Sequence, residues 1–237
     1  MPIPVHIRAK RTDIASLVVA VGDPARTEQL AGMLRDARIV NTNRGFSIYT
    51  GYYDNKQVTV ATHGVGGPSS AIVFEELRML GARSIVRLGS CGGMVKELSK
   101  GDFIVPTGAA HSTGSLGMYI PDGVLPPVPD LNLTTKLIEG CKSEGVKFMT
   151  GFVFSSDAFY SEDSTFLKKW VSRGVIGVEM ECATLFTLGT LRKFRTASLL
   201  IVSDSLVKTA EKEMAMAETL KAQVEKAGKI VLKALTD

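Results

Sequence analysis

The stretch Ser16-Leu17-Val18-Val19-Ala20-Val21-Gly22-Asp23-Pro24 decides the fold class of this chain of 237 residues. Its apolar part is short and rich in β-branched side chains, which is typical of a buried strand. Gly22 ends that strand, and Asp23 and Pro24 are favoured at the N-cap and the first position of a helix. The stretch therefore predicts a buried strand that leads directly into a helix, which we expect to continue through Leu34.

Strands and helices alternate along the rest of the chain. A hairpin is predicted where Phe46–Tyr53 and Gln57–Thr62 flank the turn residues Asp54-Asn55. The further predicted strands are Ser84–Leu88, Asp102–Val105, Val146–Phe154 and Ala197–Val202. One further helix is predicted to begin at Pro68, and the others span Leu133–Lys142, Ser164–Val171, Cys182–Leu191 and Glu211–Leu235. Because no repeat or linker interrupts this pattern, we expect one α/β domain over residues 1–237, a mixed twisted sheet with helices on both faces.

The composition is that of an ordinary globular protein. Hydrophobic residues make up 45% and charged residues 22% of the chain, which excludes a disordered, collagen-like or coiled-coil protein. The net charge of +4 is spread over the whole chain, so no nucleic-acid partner is expected, although a small anionic substrate would suit it. We find neither a secretory signal nor an apolar run of about 18 residues, so no membrane association is expected.

The cysteine and histidine patterns argue against disulfides and metal sites. The three cysteines, an odd count, stand at unrelated spacings, which indicates a reducing compartment such as the cytoplasm. The three histidines lack metal-ligand spacing, so no metal site is expected. The glycine-rich segment Gly64–Ser69 lacks the third glycine of a dinucleotide fingerprint, and neither a P-loop nor a nucleophile elbow is present.

Ligands of α/β folds gather at the carboxyl ends of the strands, where loops meet helix N-termini. Gly22 lies at such a place and lets free backbone amides approach an anion, with Arg26 one turn into the helix. Arg87 is expected to point from a strand end towards the loop that holds the hydroxyl of Ser90, and Arg44 is a third candidate. Guanidinium groups together with a hydroxyl and backbone amides match a phosphate dianion, because arginine meets its oxygens bidentately. The sequence therefore predicts a phosphate site.

Carboxylates stand in two further segments. One segment is Val178-Glu179-Met180-Glu181, and the other is Ser203-Asp204, directly after the predicted strand Ala197–Val202. A carboxylate can accept hydrogen bonds from both hydroxyls of a cis-diol such as ribose. Partial burial of Asp204 favours a role in sharing or delivering a proton. Phe159 and Tyr160 could offer a flat apolar face to a base.

Seven motifs in this order resemble the hexameric type of purine nucleoside phosphorylase, in the superfamily that also holds uridine phosphorylases and methylthioadenosine nucleosidases. They are Val21-Gly22-Asp23-Pro24-x-Arg26, Asn43-Arg44-Gly45, His63-Gly64-Val65-Gly66-Gly67-Pro68-Ser69, Arg87-x-Gly89-Ser90-Cys91-Gly92, Ser156-Asp157-Ala158-Phe159-Tyr160, Val178-Glu179-Met180-Glu181 and Ser203-Asp204. The resemblance runs from Pro4 to the last predicted helix. It implies a nucleoside phosphorylase fold, reversible phosphorolysis of a purine nucleoside to the free base and ribose 1-phosphate, and a hexamer built as a trimer of dimers.

The resemblance also implies a role for each matching residue. Phosphate would be bound by Gly22, Arg26, Arg87 and Ser90, with Arg44 reaching in from a neighbouring subunit. Met180 and Glu181 would bind the ribose of the nucleoside, and His6 of a neighbouring subunit would contact its 5′ end. The other nucleoside-binding residues would be Cys91, Gly92, Phe159, Val178, Glu179 and Ser203. Asp204 would protonate or hydrogen-bond purine N7. Because inorganic phosphate, the co-substrate, attacks the sugar, no cofactor is implied.

Three alternatives to this function are a uridine phosphorylase, a nucleosidase and a nucleoside-binding module without activity. Uridine phosphorylases carry Gln and Arg shortly after the Phe-Tyr pair, where this chain has Ser161-Glu162-Asp163. Nucleosidases use water and lack the phosphate arginines, whereas Arg26 and Arg87 are present here. A binding module would have little need for the acid at Asp204. Bacterial relatives place an arginine beyond that acid and Glu213–Glu218 contains none, so the preferred purine and the use of 5′-methylthioadenosine stay open.

Overall fold

A nine-stranded sheet forms the centre of the computed structural model, which describes residues 3–160, 163–208, 210 and 217–237. Its strands are β1 Leu17–Val21, β2 Arg35–Asn41, β3 Ile48–Tyr53, β4 Lys56–Thr62, β5 Ser84–Gly93, β6 Phe103–His111, β7 Phe148–Ser155, β8 Val175–Glu179 and β9 Arg195–Ser205. The helices are α1 Pro24–Ala31, α2 Gly67–Leu80, α3 Gly114–Tyr119, α4 Leu131–Ser143, α5 Phe166–Val171, α6 Cys182–Arg192 and α7 Lys221–Thr236. No helix in these described ranges has the length and apolar character that a bilayer crossing requires.

The sheet is mixed, and part of it closes on itself. The strand order is β2-β3-β4-β1-β5-β8-β7-β6-β9, with β1 parallel to both β4 and β5. β5 also pairs in parallel with β9. The strands β5-β8-β7-β6-β9 therefore form a closed ring. Closure leaves these strands without a free edge and places β5 between β8 and β9. The ring thereby brings together strand ends that lie far apart in the sequence.

Helices cover the sheet on both faces, which confirms the predicted α/β class. In β1, Val18 and Ala20 pack with α2 and α6 in one core cluster, whereas Val19 and Val21 pack with α1, α4 and α7 in a second. All four side chains are fully buried, because successive residues of a strand point to opposite faces and both faces are covered. The strand predicted at the start of the chain is therefore confirmed as a doubly buried one.

The first helix is shorter than predicted, and an unpredicted strand follows it. α1 ends at Ala31 instead of continuing through Leu34, and β2 begins at Arg35. β2 lies at the edge of the sheet and is mostly exposed, so it carries no alternation of apolar and polar residues. β8 and α3, of five and six residues, are also missing from the prediction. Short elements held by tertiary pairing leave little trace in a local pattern.

The structure confirms the predicted hairpin and covers only part of the predicted last helix. The hairpin is confirmed, and its turn residues Asp54 and Asn55 have φ angles of 46° and 60°, as a tight two-residue hairpin turn requires. The predicted helix from Glu211 falls partly on residues 211–216, which lie outside the described ranges. Within those ranges a 3-10 turn at Ala217–Leu220 leads into α7.

Candidate active site

The end of β1 and the start of α1 form the first part of the site. Asp23 caps the helix by accepting a backbone N–H of the first turn at 2.9 Å, and Arg26 follows in that turn. Both terminal nitrogens of Arg26 lie 3.4 Å from the hydroxyl oxygen of Ser90, which belongs to the neighbouring parallel strand β5. Gly22 packs so closely that a Cβ atom there would lie 3.2 Å from the carbonyl oxygen of Gly64. Three predicted phosphate-binding residues therefore meet at the carboxyl ends of two parallel strands.

Arg87 of β5 is buried and contacts two carboxylates. One of its terminal nitrogens pairs with Glu181, and the other lies 3.3 Å from a carboxylate oxygen of Glu179. The guanidinium group lies over Gly89, where any Cβ atom would overlap it. The guanidinium group thus lies against the segment that holds Ser90, as expected, while its terminal nitrogens pair with the two glutamates. These ion pairs could not be predicted from the sequence, because the glutamates lie more than 90 positions away from Arg87.

Two guanidinium groups share this part of the site. Burial lowers the pKa of Arg26; the carboxylate of Asp23 opposes this effect, and the positive charge of Arg87 adds to it. Burial would also lower the pKa of Arg87, but Glu181 and Glu179 outweigh it and hold that pKa above its usual range. The Nε atoms of both arginines are buried without a hydrogen-bond partner among the described residues. Because buried donors without partners are costly, an anion that accepts from them would stabilise the site.

Glu181 is a buried carboxylate beside these arginines. One of its oxygens accepts the N–H of Gly66 at 2.6 Å, and the other pairs with Arg87. Burial would raise the pKa of Glu181, but Arg87, the nearby His63 and the Gly66 amide outweigh it and hold that pKa below its usual value. Met180, the preceding residue, is half-buried. Glu181 is therefore a buried, charged carboxylate held by two partners, and its contact with a ribose diol stays a prediction.

Glu179 has different surroundings, although only one residue separates it from Glu181. Its carboxylate accepts the hydroxyl of Ser155 and the N–H groups of Glu181 and Cys182, the last two at 2.8 and 2.9 Å. It also faces Arg87 at 3.3 Å, so all of its contacts lie within the protein. These contacts join the carboxylate to the first residues of α6, and its role as a nucleoside contact stays a prediction.

Three strands place the predicted base contacts side by side. Gly92 of β5 pairs with Val178 of β8 on one side and with Asp204 of β9 on the other. A bulge at Ser203 interrupts the pairing of β5 and β9, and such bulges re-aim the neighbouring side chains. The Ser203 hydroxyl lies 2.7 Å from one carboxylate oxygen of Asp204, and a Cβ atom on Gly92 would lie 3.2 Å from the other. Cys91 is buried here, and burial raises the pKa of its thiol.

Three predicted contacts lie on the outside of the subunit. Phe159 is 61% exposed, and its ring touches the ring of Tyr160. Arg44 is exposed and adopts a φ of 57°, and the side chain of His6 is 25% exposed. Among the hydrogen bonds and ion pairs of the described residues, none joins these three side chains to the arginines and carboxylates of the site. A single subunit therefore does not gather the complete predicted set.

Sequence reasoning missed His63, which follows β4 at the same edge of the sheet. Its Cε1 atom would lie 3.6 Å from a Cβ atom placed on Gly22, and its ring centroid lies 5.4 Å from that of Phe74. Burial lowers the pKa of His63 to about 4, with Glu181 opposing this shift and Arg87 adding to it. Both ring nitrogens are buried without a hydrogen-bond partner among the described residues. Its place directly after a buried strand was the signal that could have found it.

The site thus has two adjoining parts, a guanidinium pair with a hydroxyl and a set of carboxylates. Nowhere in the described ranges do three or more histidine, cysteine, aspartate or glutamate side chains come together as a metal site would need. The guanidinium groups can bind an oxyanion next to a diol. The carboxyl group of Asp204 can exchange a proton with a further part of the same ligand.

Comparison with known proteins gives the family of this fold and site. The family model described as the phosphorylase superfamily matches residues 16–236, nearly the whole chain. The chain therefore belongs to the phosphorylase superfamily.

Individual members of that superfamily match over most of their length. A guanosine phosphorylase of Halorubrum lacusprofundi is 32% identical over 236 residues, which cover 98% of this chain and 97% of that protein. A DeoD-type purine nucleoside phosphorylase of Clostridium novyi is 37% identical over 204 residues, covering 85% and 88%. The crystal structure of purine nucleoside phosphorylase from Toxoplasma gondii in complex with immucillin-H matches with a TM-score of 0.90 and 30% identity over 99% of this chain and 96% of that one. Relatives named uridine phosphorylase match as well.

Proposed function

We propose that this protein is a purine nucleoside phosphorylase. It would split a purine nucleoside or deoxynucleoside with inorganic phosphate into the free base and ribose or deoxyribose 1-phosphate. The observation that carries the proposal is the pair of arginines, half-buried Arg26 and buried Arg87, with Glu181 paired to Arg87 and Asp204 beside Gly92 of the same strand β5. The names of the guanosine and purine nucleoside phosphorylases that match the chain support the choice of a purine.

Phosphate has a defined place in this mechanism. It would lie by Gly22 and accept hydrogen bonds from Arg26 and Ser90, with the charge of Arg87 close behind. As the bond between C1′ and the base nitrogen breaks, the sugar gains oxocarbenium character, which a dianion held beneath C1′ stabilises. A phosphate oxygen then bonds to C1′. Because the nucleophile is positioned by these residues, the protein needs none of its own.

The sugar is held by a carboxylate that its neighbours keep charged. Glu181 would accept hydrogen bonds from the ribose hydroxyls while Arg87 and the Gly66 amide hold it in place. Met180 would pack against the sugar. Hydrogen bonds to the hydroxyls of a sugar strengthen as positive charge develops on the ring, so Glu181 would stabilise the transition state more than the bound nucleoside.

The purine gains negative charge as it leaves the sugar, and this charge must be neutralised. The electron pair of the broken bond goes to the base, and a proton placed between the Asp204 carboxyl and N7 neutralises it. The Ser203 hydroxyl, 2.7 Å from Asp204, would orient that carboxyl. Gly92 and Val178 flank the same place in the neighbouring strands and would contact the base, together with Cys91 and Phe159.

The assembly and location belong to the same proposal. We expect a homo-oligomer, a hexamer built as a trimer of dimers, in which His6 and Arg44 complete a neighbour's site. Their exposure on the subunit surface supports this arrangement. We also expect a cytoplasmic enzyme of purine salvage that uses phosphate as co-substrate and no cofactor.

The test is a substrate panel for the wild-type protein and the Asp204→Asn variant. Inosine, guanosine, adenosine, 5′-methylthioadenosine and uridine are each incubated with and without phosphate, and base release is followed by chromatography. We expect release of purines only with phosphate. Asp204→Asn should lower kcat on inosine by about 10²- to 10⁴-fold, because a general acid is lost. The KM for phosphate should change little.

The panel also separates the alternatives. Equal release in phosphate-free buffer would place the chain with hydrolytic nucleosidases, and a preference for uridine would make it a uridine phosphorylase. Binding of nucleosides without base release would make it a binding module. Unchanged kcat in Asp204→Asn would remove that residue from the mechanism.

A further inference from the structure

A single carboxylate, that of Glu76 in α2, holds the N-terminal segment. It accepts the backbone N–H of Val5 at 3.0 Å, that of His6 at 2.9 Å and that of Ile7 at 2.6 Å. The imidazole Nδ1 of His6 lies 2.7 Å from the same carboxylate. Glu76 is only 6% exposed, and Ile7 is buried next to it. Four interactions on one buried group fix both the backbone and the ring of His6.

The carboxylate also decides which ring nitrogen carries the proton. Burial would raise the pKa of Glu76, but the hydrogen bonds from the His6 ring and from the backbone amides outweigh it and hold that pKa below its usual value. An ionised carboxylate has acceptors only, so Nδ1 of His6 must carry the hydrogen. In a neutral imidazole the other nitrogen, Nε2, then presents a lone pair.

The same segment is joined to the loop of Arg44. The side-chain amide of Asn43 donates a hydrogen bond to the backbone carbonyl of His6 at 2.8 Å. Asn43 directly precedes Arg44, whose left-handed backbone places it at the surface. His6 and the loop of Arg44 are therefore joined into one outer unit, which Glu76 attaches to α2.

We propose that Glu76 is a positioning residue that fixes the Nδ1–H form of His6 and so selects nucleosides with a hydrogen-bond donor, a free hydroxyl, at the 5′ position. The inference rests on the proposed function, in which His6 of a neighbouring subunit meets that end of the nucleoside. A lone pair on Nε2 accepts from a 5′-hydroxyl. A 5′-deoxy or 5′-methylthio nucleoside has no donor there and leaves the lone pair unsatisfied.

The test compares inosine with 5′-deoxyinosine in the wild-type protein, in Glu76→Gln and in Glu75→Gln. A glutamine must turn an N–H₂ group towards the backbone N–H groups of the segment, so His6 is displaced. We expect the preference for inosine in kcat/KM to fall by about 3- to 10-fold in Glu76→Gln, which is the value of one hydrogen bond. The loss should arise in the KM for inosine, with 5′-deoxyinosine unaffected.

Glu75→Gln is the matched control, because it removes the same charge from the adjacent position of the same helix. Glu75 pairs with Arg192 at 2.8 Å and does not touch the N-terminal segment. Its variant should keep the wild-type preference for inosine. If the preference survives in Glu76→Gln, or if both substrates weaken equally, the inference is overturned while the proposed function stands.

A spectroscopic measurement tests the same inference without relying on any variant at Glu76. Solid-state nitrogen spectra of wild-type protein labelled at histidine, assigned with a His6→Gln sample, should show that Nδ1 of His6 carries a hydrogen. Protonated Nε2 with unprotonated Nδ1 would overturn the inference. Failure of phosphate to release the base from any purine nucleoside of the panel would overturn the proposed function and this inference with it.

Discussion

At the scale of single residues, burial and partners together set the charges that the site uses. Arg87 and Glu181 are both buried and stay charged because each is the partner of the other. His63 is equally buried, but its ring nitrogens have no hydrogen-bond partner among the described residues. Burial therefore keeps His63 neutral, and the positive charge next to Gly22 remains on the arginines alone.

This neutral histidine makes a pH dependence predictable. The pKa of His63 is about 4 in the folded protein and 6.5 without burial, so below about pH 6.5 the unfolded chain binds a proton that the folded one does not. Stability should therefore fall as the pH drops from 7 towards 4. The free energy of unfolding of the His63→Gln variant should fall less over this pH range than that of the wild-type protein, by on the order of 3 kcal/mol.

Urea unfolding at several pH values and a fixed protein concentration measures the difference between the two proteins. His111→Gln is a useful comparison, because His111 is only partly buried and its pKa is lowered less. Parallel pH profiles for wild-type and His63→Gln protein would mean that His63 is charged in the folded state.

At the scale of secondary-structure elements, β5 carries both parts of the site. Ser90 contacts Arg26, Arg87 pairs with Glu181, and Gly92 lies between Val178 and Asp204. The glycines of this strand are required by its neighbours, since Gly89 leaves space for a guanidinium group and Gly92 for strands on both sides. The strand can therefore tolerate few side chains at these positions.

We expect Gly89→Ala to lower the free energy of unfolding by at least about 3 kcal/mol, because its Cβ atom would push Arg87 away from its two buried carboxylates. Urea unfolding and phosphorolysis of inosine would both report the change. Gly117→Ala is the control, since its Cβ atom meets nothing within 4 Å and it lies exposed in α3. A Gly89→Ala protein as stable and active as this control would show that Arg87 can move aside freely.

At the scale of the whole molecule, the outer unit of His6 and Arg44 lies on a surface that also exposes apolar side chains. Ile3 and Val5 in the N-terminal segment are 82% and 68% exposed. Val65, next to the N-terminus of α2, is 71% exposed. Exposed apolar groups of this extent suit an interface between subunits. This supports sites that are shared between neighbours.

Shared sites make mixed assemblies informative. Asp204→Asn and Arg44→Ala proteins are each expected to be nearly inactive, but subunits mixed by unfolding and refolding together should recover activity. In a mixed dimer, one site receives an intact Asp204 from its own chain and an intact Arg44 from its neighbour. Equal, random mixing should restore about a quarter of the wild-type rate.

The control for this experiment mixes Asp204→Asn with Arg26→Ala. Both residues serve the site of their own chain, so every site in that mixture lacks one of them, and no recovery is expected. Recovery in the control mixture, or none in the Asp204→Asn and Arg44→Ala mixture, would contradict shared sites built as proposed.

Much of the fold could be predicted from local patterns. The buried strand and capped helix around Gly22 are confirmed, as is the hairpin at Asp54-Asn55, because each depends on residues that are close in sequence. The edge strand β2 and the short strand β8 could not be predicted, because their pairing with other strands, and not their composition, makes them strands.

The sequence by itself determined the α/β class, the arginines and the acids that can form a phosphorylase site, because apolar runs, caps and motifs are local properties. Only the tertiary structure decided how those groups are used. It brought the carboxylate of Glu179 to the first residues of α6, and it joined Arg87 to the carboxylate of Glu181, 94 positions away. Charge and accessibility depend on burial and on partners brought from distant segments, which no local pattern contains.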